Sequence, residues 1–154
     1  MYIRKVLAVL IVSFGLTGCA TGPKFTAVST VEPSKALVYI YRDSNFTNSG
    51  ITPPVMIDGK QHEGVTNGGY NWLIRDPGII SLGLYFGDYR EDNDTKVNLE
   101  SGKTYYFGIT TGRKHIESSA VHSTFYRSFR ISQVDENIAK DVITSQRLDI
   151  DSLK

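Results

Sequence analysis

From Ala36 onward, short apolar runs alternate with groups of turn residues about every ten positions, a spacing typical of all-β folds. The run Leu37–Tyr41 is apolar on both faces and predicts a central strand. Thr95–Leu99 alternates with period two, which predicts a strand with one buried and one wet face. Further strands are predicted at residues 54–57, 60–65, 70–74, 79–86, 104–110 and 125–131.

The predicted turns divide these strands. Asp58-Gly59 is the strongest hairpin signal in the chain, because both residues tolerate positive φ. Asn67–Gly69, Asp76–Gly78 and Glu100–Lys103 predict further turns. The segments 42–51, 87–94 and 111–120 are read as loops.

A single helix is predicted near the end of the chain. Asp135 is a suitable N-cap, and the helix would run to about Arg147. Ile138, Val142 and Ile143, together with Ala139, recur at helical spacing and would pack on the sheet. The predicted fold is therefore mainly β: an antiparallel β-sandwich of about seven to eight strands with one C-terminal helix.

The N-terminus has a different pattern. Arg4 and Lys5 precede an apolar run from Val6 to about Leu16, which is shorter than the roughly 20 residues of a membrane span. The run ends in Leu16-Thr17-Gly18-Cys19, which looks like a bacterial lipobox. It predicts a signal peptide over residues 1–18, cleavage between Gly18 and Cys19, and a covalent lipid on Cys19. Cys19 is the only cysteine, so no internal disulfide accounts for it.

The predicted location of the protein in the cell follows from this motif. Ala20, not Asp, follows the cysteine; by analogy with Gram-negative lipoproteins, this favours anchoring in the outer membrane, facing the periplasm. Residues 19–35 are predicted to be the lipidated Cys19 and a flexible tether. The tether, residues 20–35, is rich in Pro, Ser and Thr and would reach at most about 55 Å when fully extended. The domain is expected over residues 36–148, with a polar tail at 149–154.

Charge excludes some partners. Loss of residues 1–18 removes two of the 17 basic side chains, leaving 15 against 16 acidic ones. Because the chain has no cluster of basic residues, the sequence predicts no positively charged surface that would bind nucleic acid. We therefore expect a membrane contact through the lipid, and an envelope protein as partner.

The candidate catalytic and metal motifs are weak. Gly102-Lys103-Thr104 resembles the end of a phosphate-binding loop, but it leads into a strand and predicts a β-turn. The acidic loop with Asp88, Glu91, Asp92 and Asp94 lacks the glycine and glutamate of a helix-loop-helix calcium motif. The histidines at 62, 115 and 122 lie on separate segments, and no nucleophile elbow occurs. We predict no catalytic residue, no metal and no cofactor other than the lipid.

Aromatic residues form the remaining candidate site. Tyr70, Trp72, Tyr105 and Tyr126 lie on predicted strands. Such residues are usually core or cross-strand pairs, and the alternative is an exposed platform for a glycan or protein partner. An unpaired edge strand would offer a second mode of binding, by accepting a strand of another chain.

Several segments resemble a family of short bacterial lipoproteins built on a domain of unknown function, DUF2846. They are residues 36–42, 55–60, 67–70, 76–78 and 99–107, and the resemblance extends over about residues 34–148. It departs at Ile79 and Ile80, where the family tends to place a His or a charged residue. The resemblance implies a transthyretin-like β-sandwich and implies no activity.

The sequence thus predicts a non-enzymatic, lipid-anchored sandwich that binds or scaffolds an envelope protein. The alternatives are a module that binds a cell-wall or lipid ligand in a cleft or on an aromatic patch, and an enzyme whose active site is assembled only by folding.

Overall fold

The computed structural model describes residues 20, 22–86, 89–90, 94–116 and 124–149, with the side chains at 86, 89–90, 113–116 and 124–127 excepted. The strands are β1 (Ala36–Arg42), β2 (Val55–Ile57), β3 (Lys60–His62), β4 (Gly69–Arg75), β5 (Gly78–Phe86), β6 (Tyr89–Arg90), β7 (Thr95–Leu99), β8 (Thr104–Ile116), β9 (Thr124–Val134) and β10 (Arg147–Leu148). In the described part of the chain one helix, α1 (Glu136–Ile143), lies between β9 and β10.

Two sheets pack face to face, which confirms the predicted sandwich. The first sheet has the order β10-β4-β1-β8-β9, and the second has the order β3-β2-β5-β6 with β7 also paired to β5. The strand count exceeds the prediction because of two-residue strands such as β6 and β10, which are too short to leave a pattern in the sequence.

The β1 strand is the central strand of the first sheet, as predicted, and all of its residues are buried. Its pairing departs from an all-antiparallel sheet, because β1 runs antiparallel to β4 but parallel to β8. The reason is that β8 enters this sheet from the turn after β7, at the end where β1 begins. The amide of Leu37 there donates to the Lys103 carbonyl at 3.0 Å.

The inner core lies between the sheets and is mostly aliphatic. It is centred on alternate residues of β1 and on Leu82 and Phe107, neither of which is exposed to solvent. The remaining buried members are Ala36, Val38, Ile40, Val55, Ile57, Val65, Ile80, Leu84, Leu99, Ile109, Phe129 and Ile131.

The two sides of the sandwich differ. On one side β9 meets the second sheet, and the Thr95 hydroxyl donates to the Ile131 carbonyl at 3.0 Å. On the other side β4 faces β2 and β3, and the three residues of β3 are exposed. The second side is called here the open seam.

The turns follow the sequence. Asp58 and Gly59 both have positive φ, 51° and 76°, and join β2 to β3 as predicted. Gly102 (φ 72°) lies in the turn between β7 and β8, so Gly102-Lys103-Thr104 is a β-turn that leads into a strand, as predicted.

The chain preceding β1 departs from the predicted flexible tether. Phe25, Val28 and Val31 pack on the outer face of the first sheet, and the Phe25 amide donates to the Gln146 carbonyl at 3.0 Å. Residues 22–31 are called the N-terminal segment. They are held because the outer face of β1 presents Leu37, Tyr39 and Tyr41, an apolar surface that needs a cover.

The helix is shorter than predicted. Asp135 caps it by accepting from the Asn137 amide at 2.9 Å, but it ends at Ile143 instead of Arg147. The hydroxyl of Ser145 donates to the Val142 carbonyl at 2.7 Å, which satisfies a helix-end carbonyl and lets the chain turn into β10. Ala139 and Ile143 are buried as predicted, whereas Ile138 is exposed.

The domain also extends one residue beyond its predicted end. Asp149, assigned to the polar tail, is buried, and its carboxylate accepts from the Thr66 amide at 2.6 Å. Residues 150–154 lie outside the described part of the chain.

Candidate functional site

The open seam contains a cleft of about 320 Å³. Its apolar lining comes from both sheets and includes Ile40, Val55, Ile57, Val65 and Leu73. His62, Glu63 and Arg75 also line it and bring charged and polar groups of both signs. A concave apolar surface with a few polar groups is the usual form of a binding site.

The seam stays open because of how the strands end. The β10 strand pairs with β4 only at Gly69 and Tyr70, so among the described residues no strand pairs with that edge beyond Tyr70. The β3 strand has only three residues and forms the edge of the second sheet. Two sheet edges thus flank the cleft. On the β4 edge the Trp72 amide donates to the Asn71 side chain at 2.8 Å, whereas β3 is an edge strand of the kind that can accept a strand from another chain.

Gly64 shapes the chain just after β3. A Cβ placed on it would lie 2.2 Å from the Pro53 carbonyl oxygen, which belongs to the backbone and cannot turn away. Only glycine permits this approach, which brings the chain back beside β2 and places buried Val65 in the cleft wall.

The predicted aromatic platform is not assembled by the residues whose side chains are described. Tyr70 is buried, 3% exposed, with the Phe25 ring 5.1 Å from its own. Trp72 is half-buried; it packs against the same outer cluster and also lines the cleft of the open seam. A ligand therefore cannot reach Tyr70, because the N-terminal segment covers it.

Tyr105 lies elsewhere. It packs against the inner core, and its hydroxyl accepts from the Glu100 amide at 2.9 Å and donates to the Asn98 carbonyl at 3.2 Å. Its role is to hold the turn before β8. Tyr126 pairs through its backbone with Lys114, and its side chain lies outside the described residues.

The histidines and acidic residues form no metal site in the part of the chain that the structure describes. No group of three His, Cys, Asp or Glu side chains converges there. His62 is exposed on β3, the side chain of His115 and all of His122 fall outside the description, and so do Asp88, Glu91 and Asp92. Asp94 accepts from the Ser81 hydroxyl at 3.2 Å.

Arg42 is a buried cation at the end of β1, at a position predicted to begin a loop. Its guanidinium donates to the carbonyls of Ile51 and Asn48, the latter at 2.7 Å, and lies 5.3 Å from the Phe129 ring centre. Burial lowers the pKa of Arg42 from its ordinary value. The alternation of β1 contained the signal, because Arg42 continues the inward set of Ala36, Val38 and Ile40.

Arg42 holds the loop that follows it. By bonding two carbonyls of residues 43–51, it fixes a segment that has no regular secondary structure. Phe46, which lies in this loop, is 97% exposed.

No helix within the described ranges is both long and apolar enough to span a bilayer. A family model described as "Protein of unknown function (DUF2846)" matches residues 32–125, more than half of the chain. Comparison with curated proteins and with solved structures gave no significant match.

Proposed function

Since the chain belongs to the DUF2846 family of proteins of unknown function, we propose its role from the molecule itself: a lipid-anchored, non-enzymatic envelope protein whose open seam binds a segment of a protein partner. The anchor is the lipid predicted on Cys19, in the outer membrane with the domain on the periplasmic side. The observation that carries the binding role is the apolar cleft between two sheet edges.

The seam suits an extended peptide. Its walls are the edge of β4 and the edge strand β3, and a partner strand would add to the backbone of β3. Alternate side chains of such a strand point to one face, and a cleft of about 320 Å³ has room for one or two apolar side chains. The partner is therefore expected to present a short strand with alternating apolar residues.

Site-specific photocrosslinking in the native envelope tests this proposal. A photoreactive residue at His62 in β3, which is exposed and lines the cleft, should yield a discrete adduct with one protein. The same residue at Lys96 in β7 is the matched control, because both positions are exposed on edges of the second sheet but lie on opposite sides of the sandwich. The absence of an adduct at His62, or equal adducts at both positions, would contradict partner binding in the seam.

A second candidate is supported by the same cleft, since its apolar lining would also accept an acyl chain or another small apolar ligand. Native mass spectrometry of the purified chain would show such a ligand as a constant added mass, distinct from the covalent lipid. Leu73→Trp, which adds bulk to the cleft wall, should remove that mass, whereas Ile79→Trp on an exposed position outside the cleft should not. If Leu73→Trp abolishes the crosslink, and native mass spectrometry of the unmutated chain shows no added mass, the protein partner is favoured.

The anchor is tested separately. Cys19→Ser should abolish incorporation of a labelled fatty acid and move the protein from the membrane fraction to the soluble fraction, because two or more acyl chains are needed for stable attachment. Ser29→Ala, at an exposed position of the N-terminal segment, should leave both unchanged. A Cys19→Ser chain that stays in the membrane fraction would refute the lipid anchor.

A further inference from the structure

Ala20 is already part of the folded domain. It is 8% exposed, its amide donates to the Asn67 carbonyl at 3.4 Å, and its Cβ lies 3.3 Å from where a side chain on Gly69 would begin. Residue 19 is one peptide bond away, with about 3.8 Å between successive Cα atoms. A lipid on Cys19 would thus start at the domain surface, without the long spacer that the sequence predicts.

The loop of residues 43–51 reaches the same place. The Asn45 amide donates to the side-chain oxygen of Asn67 at 3.0 Å, and the Cβ of Ser44 lies 3.5 Å from where a side chain on Gly68 would begin. The turn Asn67–Gly69 therefore contacts Ala20 and also this loop. These three elements, Ala20, residues 43–51 and residues 67–69, are called the anchor end.

Phe46 is the exposed apolar group of the anchor end. It is 97% exposed on a loop that Arg42 holds through two carbonyls, and the Thr47 amide donates to the Asn45 side chain at 2.9 Å. An ordered loop that keeps a phenyl ring in water gains nothing from it in the folded chain. A ring beside an acylated residue has a bilayer within reach.

We propose that the anchor end lies against the bilayer and that the Phe46 ring inserts into the headgroup region beside the lipid on Cys19. This inference rests on the proposed anchor. Of the exposed residues in the loop only Asp43 is charged, so the contact does not require anionic lipid. The β4 strand runs from the anchor end to the Asp76–Gly78 turn, about 20 Å away, so that turn points away from the membrane.

Fluorescence quenching on the full lipidated chain tests the orientation. The lipid occupies the sulfur of Cys19, so an introduced cysteine is the one free thiol for an environment-sensitive dye. Phe46→Cys is compared with Ile79→Cys, a position that is 75% exposed and follows the Asp76–Gly78 turn. In phosphatidylcholine vesicles with spin-labelled headgroups, quenching at 46 should exceed that at 79 roughly threefold, because the interfacial zone is only about 5–10 Å deep.

A second pair tests the ring itself. Thr47→Cys carries the dye either with Phe46 present or with Phe46→Ser, and the exposure of Phe46 makes this change harmless to folding. Quenching at position 47 should fall when the ring is removed. Unchanged quenching there would overturn the insertion of Phe46.

The two proposals fail in different ways. A lipidated chain that floats with the vesicles but is quenched equally at 46 and 79 would overturn the orientation and leave the anchor intact. A Cys19→Ser chain that floats as well as the wild type would overturn the anchor, and this orientation with it.

Discussion

The two faces of the first sheet are covered in different ways. The inner face meets the second sheet through aliphatic side chains and phenylalanines. The outer face presents Tyr39, Tyr41, Tyr70 and Tyr106, and its cover is the N-terminal segment together with α1. One face is thus closed by regular structure and the other largely by an irregular stretch of chain.

The difference explains why the outer layer uses tyrosine. An irregular segment has backbone amides without a strand partner, and buried amides need acceptors. The Tyr39 hydroxyl accepts from the Val28 amide at 2.8 Å, and its ring stacks on Tyr106 with centres 5.4 Å apart. A phenylalanine would supply the ring but not the acceptor. The inner core has no such need, because the strands on both sides satisfy their own backbones.

The inner core should show the largest effect. Leu82→Ala removes a side chain with no solvent exposure and should lower the free energy of unfolding by about 2–5 kcal/mol. Urea denaturation measures this, and Ile79→Ala, on the same strand but exposed, is the control with a change near zero. A loss below that of Phe25→Ala would contradict the view that the inner core dominates stability.

Phe25→Ala should break the outer layer while sparing the inner one. The ring packs at 5.4 Å from Tyr39 and 5.1 Å from Tyr70 but is only half-buried, so the expected loss is about 1–3 kcal/mol. Hydrogen exchange should show faster exchange in residues 22–31 and unchanged protection in β5. Thr30→Ala, an exposed change in the same segment, serves as control. Uniform loss of protection throughout the domain would show that the two layers unfold as one.

Tyr39→Phe isolates the hydrogen bond from the ring packing. It keeps the stacking on Tyr106 but leaves the Val28 amide without its acceptor, which should cost about 1 kcal/mol. The Val28 amide should exchange faster than in the wild type. If its exchange rate does not change, the hydroxyl is not what holds this part of the segment.

The smallest expected effect near neutral pH comes from ionisation of the buried tyrosines of the outer layer. Burial raises the pKa of Tyr39, Tyr41 and Tyr106 because the phenolate is poorly solvated. Above about pH 10 the unfolded chain releases these protons while the folded chain keeps them, so the free energy of unfolding falls as pH rises. Below that pH the contribution is constant.

Urea denaturation at a series of pH values from 8 to 11 checks this, because the series brackets the ordinary tyrosine pKa of about 10. Tyr39→Phe removes one buried phenol and should make the alkaline fall shallower, whereas Ile79→Ala should fall as steeply as the wild type. An equal slope in Tyr39→Phe would contradict the assignment of this fall to the outer layer.

Local signals in the sequence predicted much of the fold. Asp58-Gly59 has the backbone freedom of a hairpin turn, Asp135 caps a helix, and residues 37–41 are apolar on both faces. Each depends on neighbours in the chain, and each prediction is confirmed. The end of α1 was predicted less well, because Ser145 and Thr144 redirect the chain through hydroxyl bonds that compete with the helix.

The candidate site was harder to predict. Tyr70 and Trp72 are strand residues in both the prediction and the structure, but which face is covered depends on Phe25, at least 45 positions away along the chain. The open seam was not visible in the sequence, because it arises from where β10 stops along β4 and from the shortness of β3. Strand lengths and edges are set by contacts between distant segments.

The sequence by itself determined the elements with short-range causes: the β pattern, the main turns and the helix start. Tertiary structure alone decided that residues 22–31 join the domain, that Arg42 holds the loop of Phe46, and that one side of the sandwich is open. The physical reason is that the first set depends on backbone preferences and periodicity within a few residues. The second set depends on which apolar faces and carbonyls remain uncovered once the sheets have formed.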